Sequence, residues 1–541
     1  MEWIRKFDYY ADPDRAEVWW EKPEGADACT RYQVFLDGAI AGETDRTHFT
    51  VENLEADREY MIQVAVLTVD QQTSAIQSGG QNPSDGSMIA YLAHPGSIHM
   101  EEHHSAGGAA AVAAVPAGAL SQDDVSVTFQ TPMPRKRIDV TASPYFAKGD
   151  GQTMNTAILQ KAFDDCPADG SVYFPAGTYL TGALRLHSDM ELYLDEGAVL
   201  QGSADPADYL PRIRSRFEGT EMECYQSLLN LGDLDHTSGP NCTNVIIRGK
   251  GAIKGGGFAL AWATIQSEKE RLKDYLAANA DYVATCENDN TIPGRVRGRL
   301  INMSNCSHIR ISGLTLADGA SWNLHMVYSD HIITDHCLFS SKGTWNGDGW
   351  DPDSSEDCTL FACTFHTEDD SVAIKSGKNP EGNEINRPAR HIRIFDCRSA
   401  FGHGLCIGSE MSGGIEDVKI WDCDLEHSMV GIQVKGTPKR GGFVRGLHVQ
   451  DCTVPCLQAV SVGYNDDGVP APEPPHFENF SYERVTVTGR SLLEEWTDCK
   501  AIEFKGFDET HPIRNILFKN VKITGGLGVT VELCEDVRFE E

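Results

Sequence analysis

The chain has 541 residues, 40% of them apolar, and a formal net charge of −34. This length exceeds one compact core of ordinary size, so we expect two or more domains unless the fold is a solenoid, which lengthens without splitting. The acidic balance argues against nucleic acid or an anionic membrane as a partner, and no apolar run approaches the roughly 18 residues of a membrane span.

The first twenty residues, MEWIRKFDYYADPDRAEVWW, contain no apolar core followed by a small-residue cleavage site, so they predict a cytoplasmic protein. The 16 cysteines agree with a reducing compartment, because most of them fall at the same place in successive repeats, where a thiol acts as a small apolar filler. A disulfide framework is the alternative interpretation of the same residues.

Residues 15–70 predict a small antiparallel β-sandwich, because apolar and polar residues alternate there in short runs separated by turns. The last strand that such a domain needs is missing after Val69 and could be supplied by VSVTFQT at 125–131. Residues 1–132 would then be one domain with a long insertion at about 77–124. The pattern resembles a fibronectin type III domain in the placing of Trp19 or Trp20, Pro23, Tyr32, Leu54 and Tyr60.

The second predicted domain, 133–541, begins with a linker and a short helix. The helix is expected to start at Asn155. A solenoid exposes an open sheet end that invites edge pairing, so this helix is expected to cover that end. Its buried face is predicted to carry Ile158, Ala162, Phe163 and Cys166.

Short strands dominate from residue 172 onward, with one interruption at 259–286 that predicts a helix. We expect this helix to pack on the outside of the strands, where it could close one end of a cleft. Its predicted buried face comprises Trp262, Ile265, Leu272, Tyr275 and Leu276.

A repeat of strand and turn, with no room for a crossover helix, predicts a parallel β-solenoid. Five cysteines mark the period at spacings of 26, 34, 26 and 29 residues. Successive coils of a solenoid stack strand on strand at roughly 4.8 Å, so residues one period apart lie one above another on the same wall. The five are Cys337, Cys363, Cys397, Cys423 and Cys452.

Polar functional groups recur about once per coil at Asp348, Asp370, His403 and Lys435, separated by 22, 33 and 32 residues. Together with Asp369 they would form one patch of three carboxyls, an imidazole and an amine. Hydrolysis of a glycosidic bond needs one protonated and one ionised carboxyl, and crowding raises the pKa of at least one. Because neighbours in a strand face opposite sides, Asp369 and Asp370 can share a cleft only at a strand end or bulge.

The order and spacing of these motifs resemble glycoside hydrolase family 28, the polygalacturonases. The strings DGWDPDSS, AIKSGKNPEG and GHGLCIGSEMSGG look most like the exo-acting bacterial members, several of which carry a fibronectin type III module in front. The resemblance spans roughly 138–525. The family signature Asn-Thr-Asp, Asp-Asp, Gly-His-Gly and Arg-Ile-Lys corresponds here to Asn346-Gly347-Asp348, Asp369-Asp370, Gly402-His403-Gly404 and Gln433-Val434-Lys435.

The resemblance implies a mostly β protein, a right-handed parallel β-helix behind the small sandwich. It also implies an inverting hydrolase that releases α-1,4-linked galacturonic acid from the end of pectic oligomers. We expect no metal or other cofactor, because the carboxylates do the proton transfer and no set of His, Cys and Asp is spaced as a catalytic zinc site. Asp369 would be the general acid, Asp348 and Asp370 would activate water, and His403 would support the acid. The predicted substrate-binding residues are Asn346, Gln433 and Lys435 from the resemblance, with Lys375 and Arg440 as further cations.

Gln433 departs from the family pattern, because glutamine in place of arginine removes half of the usual carboxylate clamp. Either Lys435 with Lys375, Lys439 or Arg440 compensates, and galacturonate is still the substrate, or the subsite takes a neutral or substituted sugar, as in rhamnogalacturonan. A pectate-type lyase that uses calcium and a non-catalytic glycan-binding solenoid are further alternatives. A cytoplasmic enzyme would meet short imported oligomers. The sequence makes no prediction of oligomeric state.

Overall fold

The computed structural model describes residues 5–23, 25–27, 29–67, 125–464, 467–492 and 496–541. The chain forms two compact units, Met1–Pro134 and Arg135–Glu541. The predicted insertion at about 77–124 lies outside the described residues. Across the described ranges, no helix is both long and apolar enough to cross a membrane.

The first unit is an antiparallel β-sandwich. Trp20 and Tyr32 are buried in its core, with ring centroids 5.1 Å apart. The strand Val125–Gln130 pairs antiparallel with Glu59–Leu67, which confirms that residues after the insertion supply the last strand. Among the described residues, one sheet contains Arg5–Ala11, Arg15–Glu21 and His48–Glu52, and the other contains Ala39–Thr44, Arg31–Leu36, Glu59–Leu67 and Val125–Gln130.

The second unit is a right-handed parallel β-helix, as predicted. Three long sheets run along it, their strands pair in parallel, and neighbours in each sheet follow chain order, so each coil adds one strand to a sheet. In the described part of the chain, sheet 1 has thirteen strands: Lys136–Asp139, Gly170–Phe174, Met190–Leu194, Cys242–Gly249, Cys306–Ser312, Asp330–Asp335, Glu356–Phe361, Ala389–Phe395, Ile415–Trp421, Phe443–Gln450, His476–Glu483, Ile513–Lys519 and Cys534–Glu540.

Sheets 2 and 3 complete the wall of the helix. In the described ranges, sheet 2 comprises Asp150–Met154, Gly177–Thr181, Ala198–Gly202, Ala252–Lys254, Thr315–Ala317, Leu338–Ser340, Thr364–His366 and Arg398–Phe401, and a smaller sheet of Thr453–Val454, Thr486–Val487 and Lys522–Ile523 follows it. Sheet 3 comprises Leu184–Leu186, Leu229–Leu231, Ile301–Ser304, Leu324–Val327, Trp350–Asp353, Val372–Ile374, Gly404–Ile407, Gly431–Gly436, Leu457–Ser461, Ile502–Lys505 and Val529–Glu532. Two hairpins, Ile213–Phe217 with Thr220–Cys224 and Arg490–Leu492 with Trp496–Asp498, lie outside these sheets.

The repeated cysteines fill the interior of the helix. The five that mark the period are all buried, and the backbone N–H of Cys337 donates to Sγ of Cys363 one coil away, at 3.4 Å. All 16 cysteines lie in the described residues and are free thiols. The disulfide framework is therefore the wrong interpretation, and the thiols serve as small apolar fillers.

The helix Thr156–Asp164 lies at the start of the second unit, where the sequence predicts it. Leu159, Ala162 and Phe163 form its buried face, whereas Ile158 is only half-buried. Asn155 precedes the helix without a side-chain cap, because its Oδ1 instead accepts a hydrogen bond from the backbone N–H of Lys148 at 2.8 Å.

The predicted helix at 259–286 is divided into Gly257–Arg271, Lys273–Ala278 and Ala280–Val283. The prediction that Trp262 and Tyr275 lie on its buried face is wrong, because Trp262 is 46% exposed and Tyr275 is 48% exposed. In the helix Gly257–Arg271 the buried face includes Leu260 and Ile265, so Trp262 lies on its outer side. The remaining described helices are Thr291–Gly294, Glu381–Ile385 and the 3₁₀ turn Pro206–Tyr209.

Candidate active site

The predicted catalytic residues lie where strands of sheet 3 begin, whereas Lys375 follows the end of the strand Val372–Ile374 and Lys435 lies near the end of the strand Gly431–Gly436. Asp348, Asp370 and His403 each lie two residues before the position at which their strand is aligned with the strands of the neighbouring coils. They therefore lie one above another, as the period predicts. The aligned residues of the four coils are Trp350, Val372, Leu405 and Ile432.

Asp369 and Asp370 serve the same cleft because they lie in the bend before the strand Val372–Ile374. The Nδ1 atom of His403 is 2.9 Å from Oδ1 of Asp369 and 3.2 Å from Oδ1 of Asp370. The Asp369 side chain is 27% exposed and that of Asp370 is 5% exposed. The strand-end position that the sequence requires for this pair is confirmed, and Asp369 is the member open to solvent.

Asp370 is held in its ionised form. The Nζ atom of Lys435 lies 2.9 and 3.2 Å from its two carboxylate oxygens. Burial alone would raise the pKa of Asp370, but the ammonium of Lys435 and the imidazole of His403 outweigh it and hold that pKa well below its usual range. Asp370 is therefore ionised at neutral pH.

His403 carries a positive charge at neutral pH. Burial alone would lower its pKa, but hydrogen bonds to Asp369 and Asp370 outweigh burial and raise the pKa to about 10. A protonated nitrogen cannot ligate a metal ion. The group of Asp369, Asp370 and His403 has ligand atoms within 4.8 Å of one another, yet its protonation suits proton transfer better than metal binding.

Asp348 is held in its neutral form. It is 3% exposed, and its Oδ1 is buried without a hydrogen-bond partner among the described residues. Burial, with a further contribution from the carboxylates of Asp369 and Asp370, raises its pKa to about 8, although Lys375 opposes the shift. At neutral pH Asp348 is therefore mostly a hydrogen-bond donor.

Lys375 is predicted to bind substrate, but its ammonium is only 6% exposed and lies among carboxyl groups of the protein itself. Its Nζ atom is 3.3 Å from Asp348, 3.9 Å from Asp351 and 3.4 Å from Glu410, and it lies 4.1 Å from the ring centroid of Trp322. Sequence reasoning did not identify Asp351, Glu410 or Trp322 as part of the site. A signal existed for Asp351, because the alternation in WDPD places Asp351 and Asp353 on one face of a strand.

Asn346 lies at the edge of the site and is positioned by a buried arginine. Its Oδ1 accepts a hydrogen bond from Nη2 of Arg297 at 2.6 Å. Arg297 also donates to the backbone carbonyls of Ala320 and Trp345 and is fully buried. Nothing in the period of the chain indicates Arg297, because it lies in the irregular segment before the strand Ile301–Ser304.

Gln433 and Arg440 differ in their burial and in their hydrogen-bond partners. Gln433 is half-buried and donates from Nε2 to Oε1 of Gln458 in the next coil, at 2.6 Å. Arg440 is fully buried, and its guanidinium donates to the carbonyl of Ser409 and to Oδ1 of Asn379. The predicted contact of Arg440 with substrate is corrected to a structural role.

Two irregular segments that connect to strands of sheet 3 are in contact. Asp467, which follows the strand Leu457–Ser461, forms an ion pair with Lys378 and accepts from Nη1 of Arg295 at 3.1 Å and from the hydroxyl of Tyr282 at 3.3 Å. Arg295 and Tyr282 belong to the helical excursion that precedes the strand Ile301–Ser304 of sheet 3. We call these four residues the Asp467 bridge.

Residues 213–540 match the family model for glycosyl hydrolases family 28, which is more than half of the chain. The chain belongs to glycosyl hydrolase family 28. The resemblance noted from the motifs is thereby confirmed, and this family 28 protein is a glycoside hydrolase.

Known proteins similar to this hydrolase include an exo-poly-α-D-galacturonosidase from Dickeya chrysanthemi, 30% identical over 78% of this chain and 73% of the relative. Among solved structures, a family 28 exopolygalacturonase from Yersinia enterocolitica has a TM-score of 0.74 at 19% identity, covering 99% of this chain and 98% of that one. An exopolygalacturonase from Thermotoga maritima has a TM-score of 0.62 at 24% identity, covering 75% and 92%. These structural likenesses support the β-helix fold.

Proposed function

We propose that this family 28 hydrolase releases galacturonate units from a chain end of pectic galacturonan, with inversion at the anomeric carbon. The observation that carries the proposal is that Asp348 and Asp370, two carboxyls of one cluster, are held in different protonation states, while Asp369 beside them contacts the imidazole of His403. Divergent pKa values in neighbouring carboxyls are the arrangement that acid and base catalysis at a glycosidic bond requires.

Asp370 acts as the base. Its ionised carboxylate accepts a proton from the attacking water while Lys435 and His403 compensate its charge. Asp348 has a different part from the one implied by the resemblance: being mostly neutral at pH 7, it donates a hydrogen bond that orients this water rather than accepting its proton.

Asp369 acts as the acid, together with His403. The two groups share a proton along a 2.9 Å contact. In the free enzyme this proton lies on the imidazole, since the pKa of His403 is raised to about 10. Substrate that covers the exposed side of the pair removes water from it, and desolvation favours the neutral form, in which Asp369 holds the proton. The carboxyl then protonates the leaving oxygen.

Attack at a chain end is supported by the Asp467 bridge. The bridge ties the segment after the strand Leu457–Ser461 to the helical excursion through Lys378, Arg295 and Tyr282, and we infer that it obstructs a polymer that would continue along the sheet. A closed end of this kind admits a terminus and not the middle of a chain. The name of the Dickeya relative, exo-poly-α-D-galacturonosidase, agrees with this mode.

Galacturonate as the substrate is supported by the family and by that relative. The local charges permit it, because Lys435 and His403 balance Asp370 and Asp369, and Lys375 balances Glu410. An acidic sugar therefore meets no uncompensated cluster of carboxylates, despite the overall charge of −34.

The test is digestion of galacturonate tri- to hexamers labelled at the reducing end. We expect unlabelled short product from the first minutes and a labelled series that shortens stepwise. Internal cleavage from the start would contradict the exo mode. A product that absorbs in the ultraviolet, with activity restored by calcium, would instead indicate a lyase, and binding without any product would indicate a non-catalytic solenoid.

A further inference from the structure

A cluster of two histidines and one carboxylate lies outside the catalytic group, and we propose that it binds a divalent transition metal ion of the zinc type. Its members are Glu473, His476 and His511, whose ligand atoms lie within 4.8 Å of one another. Two imidazoles and a carboxylate are among the usual protein ligands of zinc.

The distances in the cluster fit ligands of one ion better than hydrogen bonds. Nε2 of His476 is 3.6 Å from Oε1 of Glu473, and Nε2 of His511 is 3.8 Å from Oε2 of the same carboxylate. Both exceed the roughly 3.2 Å limit of an ordinary N–H···O bond. Bonds of about 2.0–2.2 Å in a tetrahedral zinc site place neighbouring ligand atoms about 3.4 Å apart. Small movements of these side chains would therefore suffice to bind an ion.

Asp508 is an independent indication of a metal site, because its carboxylate orients His511 as a metal ligand. Its two oxygens lie 3.0 and 3.1 Å from Nδ1 of His511, and the backbone N–H and hydroxyl of Thr510 fix it in place. A carboxylate on one ring nitrogen keeps the proton there and leaves the lone pair of Nε2 for a metal, as partners of metal-bound histidines usually do.

The fold brings the two histidines together from adjacent coils. His476 begins the strand His476–Glu483, and His511 precedes its neighbour Ile513–Lys519. Their rings are 5.3 Å apart and tilted by 51°, and each Nε2 faces the same carboxylate. A second pair on sheet 1, His308 and His331, instead stacks at 4.6 Å with parallel rings.

The parallel pair provides a matched control. His308 and His331 contact Ser307 and Asp330 through Nδ1, and with Asp330 they form a second group whose ligand atoms lie within 4.8 Å of one another. Removing these two histidines therefore tests zinc binding at that group without touching the proposed site. The proposed ion would link the segment 467–475 to the turn 507–512, and three protein ligands leave a position for water. Because the catalytic carboxyls lie on sheet 3, the ion would stabilise the fold and take no part in hydrolysis.

The experiment titrates zinc chloride into chelator-treated, dialysed full-length protein by calorimetry and follows the melting temperature. We expect the wild type to bind an equivalent of zinc and to melt at a higher temperature with it. His476→Asn/His511→Asn should bind one equivalent less and lose that shift, whereas His308→Asn/His331→Asn should keep both. Asp508→Asn should bind roughly 10- to 100-fold more weakly.

The proposal is wrong if metal-free wild type gains no stability from zinc, or if His476→Asn/His511→Asn binds zinc as the wild type does. A melting temperature that responds to pH but not to zinc would make the cluster a set of ion pairs instead. Circular dichroism of the metal-free variants shows whether they are folded, and both double variants should hydrolyse galacturonate oligomers at the wild-type rate.

Discussion

At the scale of single residues, the account depends on the pair of Asp369 and His403. Asp369→Asn keeps the shape of the side chain but cannot deliver a proton to the leaving oxygen. We expect kcat to fall by about 10²- to 10⁴-fold, while KM for a galacturonate oligomer changes little. Asp357→Asn, on sheet 1, is the matched control and should retain wild-type kcat. If Asp369→Asn kept more than half of wild-type turnover, Asp369 would not be the acid.

The second residue-scale prediction concerns pH. The folded-state pKa of His403 is raised from 6.5 to about 10, so the stability gained from its ion pairs is fully present below the unfolded value and is lost as pH rises through about 10. The same proton serves catalysis. In His403→Gln, Asp369 has no imidazole with which to share the catalytic proton. We therefore expect the alkaline limb of the profile of kcat against pH to shift to lower pH by roughly one unit or more.

The control for this profile is His391→Gln, which removes an imidazole that contacts Asp417 on sheet 1. Its profile should coincide with that of the wild type. An alkaline limb at the same pH in His403→Gln and wild type would show that the imidazole does not hold the catalytic proton.

The third residue-scale prediction concerns Gln433. Its amide is paired with Gln458, and an arginine there would offer a substrate carboxylate charged donors in place of neutral ones. Gln433→Arg should lower KM for digalacturonate by roughly 2- to 30-fold without changing the bond that is cut. Gln458→Arg adds the same charge one coil away and should lower KM less. An inactive Gln433→Arg, with a wild type that ignores galacturonides, would favour a neutral or substituted sugar.

At the scale of elements, the Asp467 bridge is the feature that sequence reasoning reached only in outline. The sequence predicts an excursion that could close one end of a cleft, and the structure shows that Arg295 and Tyr282 of this excursion contact Asp467. The partner could not be predicted, because a contact between two irregular segments follows no period. Trp262 was misassigned for a related reason: hydrophobicity alone does not indicate which stripe of a short helix faces the coils.

The element-scale prediction is that opening the bridge changes the mode of attack. Asp467→Asn removes the charge that holds Lys378 and Arg295, so the closed end should loosen, and the fraction of internal cleavage of labelled hexagalacturonate should rise. Asp289→Asn, which breaks the exposed ion pair with Lys269 on the same excursion, is the matched control and should leave the pattern unchanged. If Asp467→Asn cleaved labelled hexagalacturonate in the wild-type pattern, the bridge would not be the cause of the exo mode.

At the scale of the whole molecule, periodic features were predictable and aperiodic ones were not. The β-helix follows from a repeat that every coil obeys, and the same period places Asp348, Asp370 and His403 together. Arg440 was misassigned because the sequence does not show that its guanidinium is buried against Ser409 and Asn379. Arg297 was missed because it supports Asn346 from outside the repeat.

Three whole-molecule expectations stay predictions. They are the fibronectin type III identity of the first unit, its predicted boundaries and the cytoplasmic location. Cell fractionation would decide the location, and recovery of the enzyme outside the cell would contradict it.

The central claim is that ionised Asp370 and the proton-carrying pair of Asp369 and His403 act together on an α-linked galacturonide at a chain end. The most direct measurement is proton NMR of the anomeric signals during the first minutes of trigalacturonate hydrolysis, before the new reducing end equilibrates. The account predicts that the β-anomer appears first, because water attacks the face opposite the leaving oxygen. Initial accumulation of the α-anomer would contradict it.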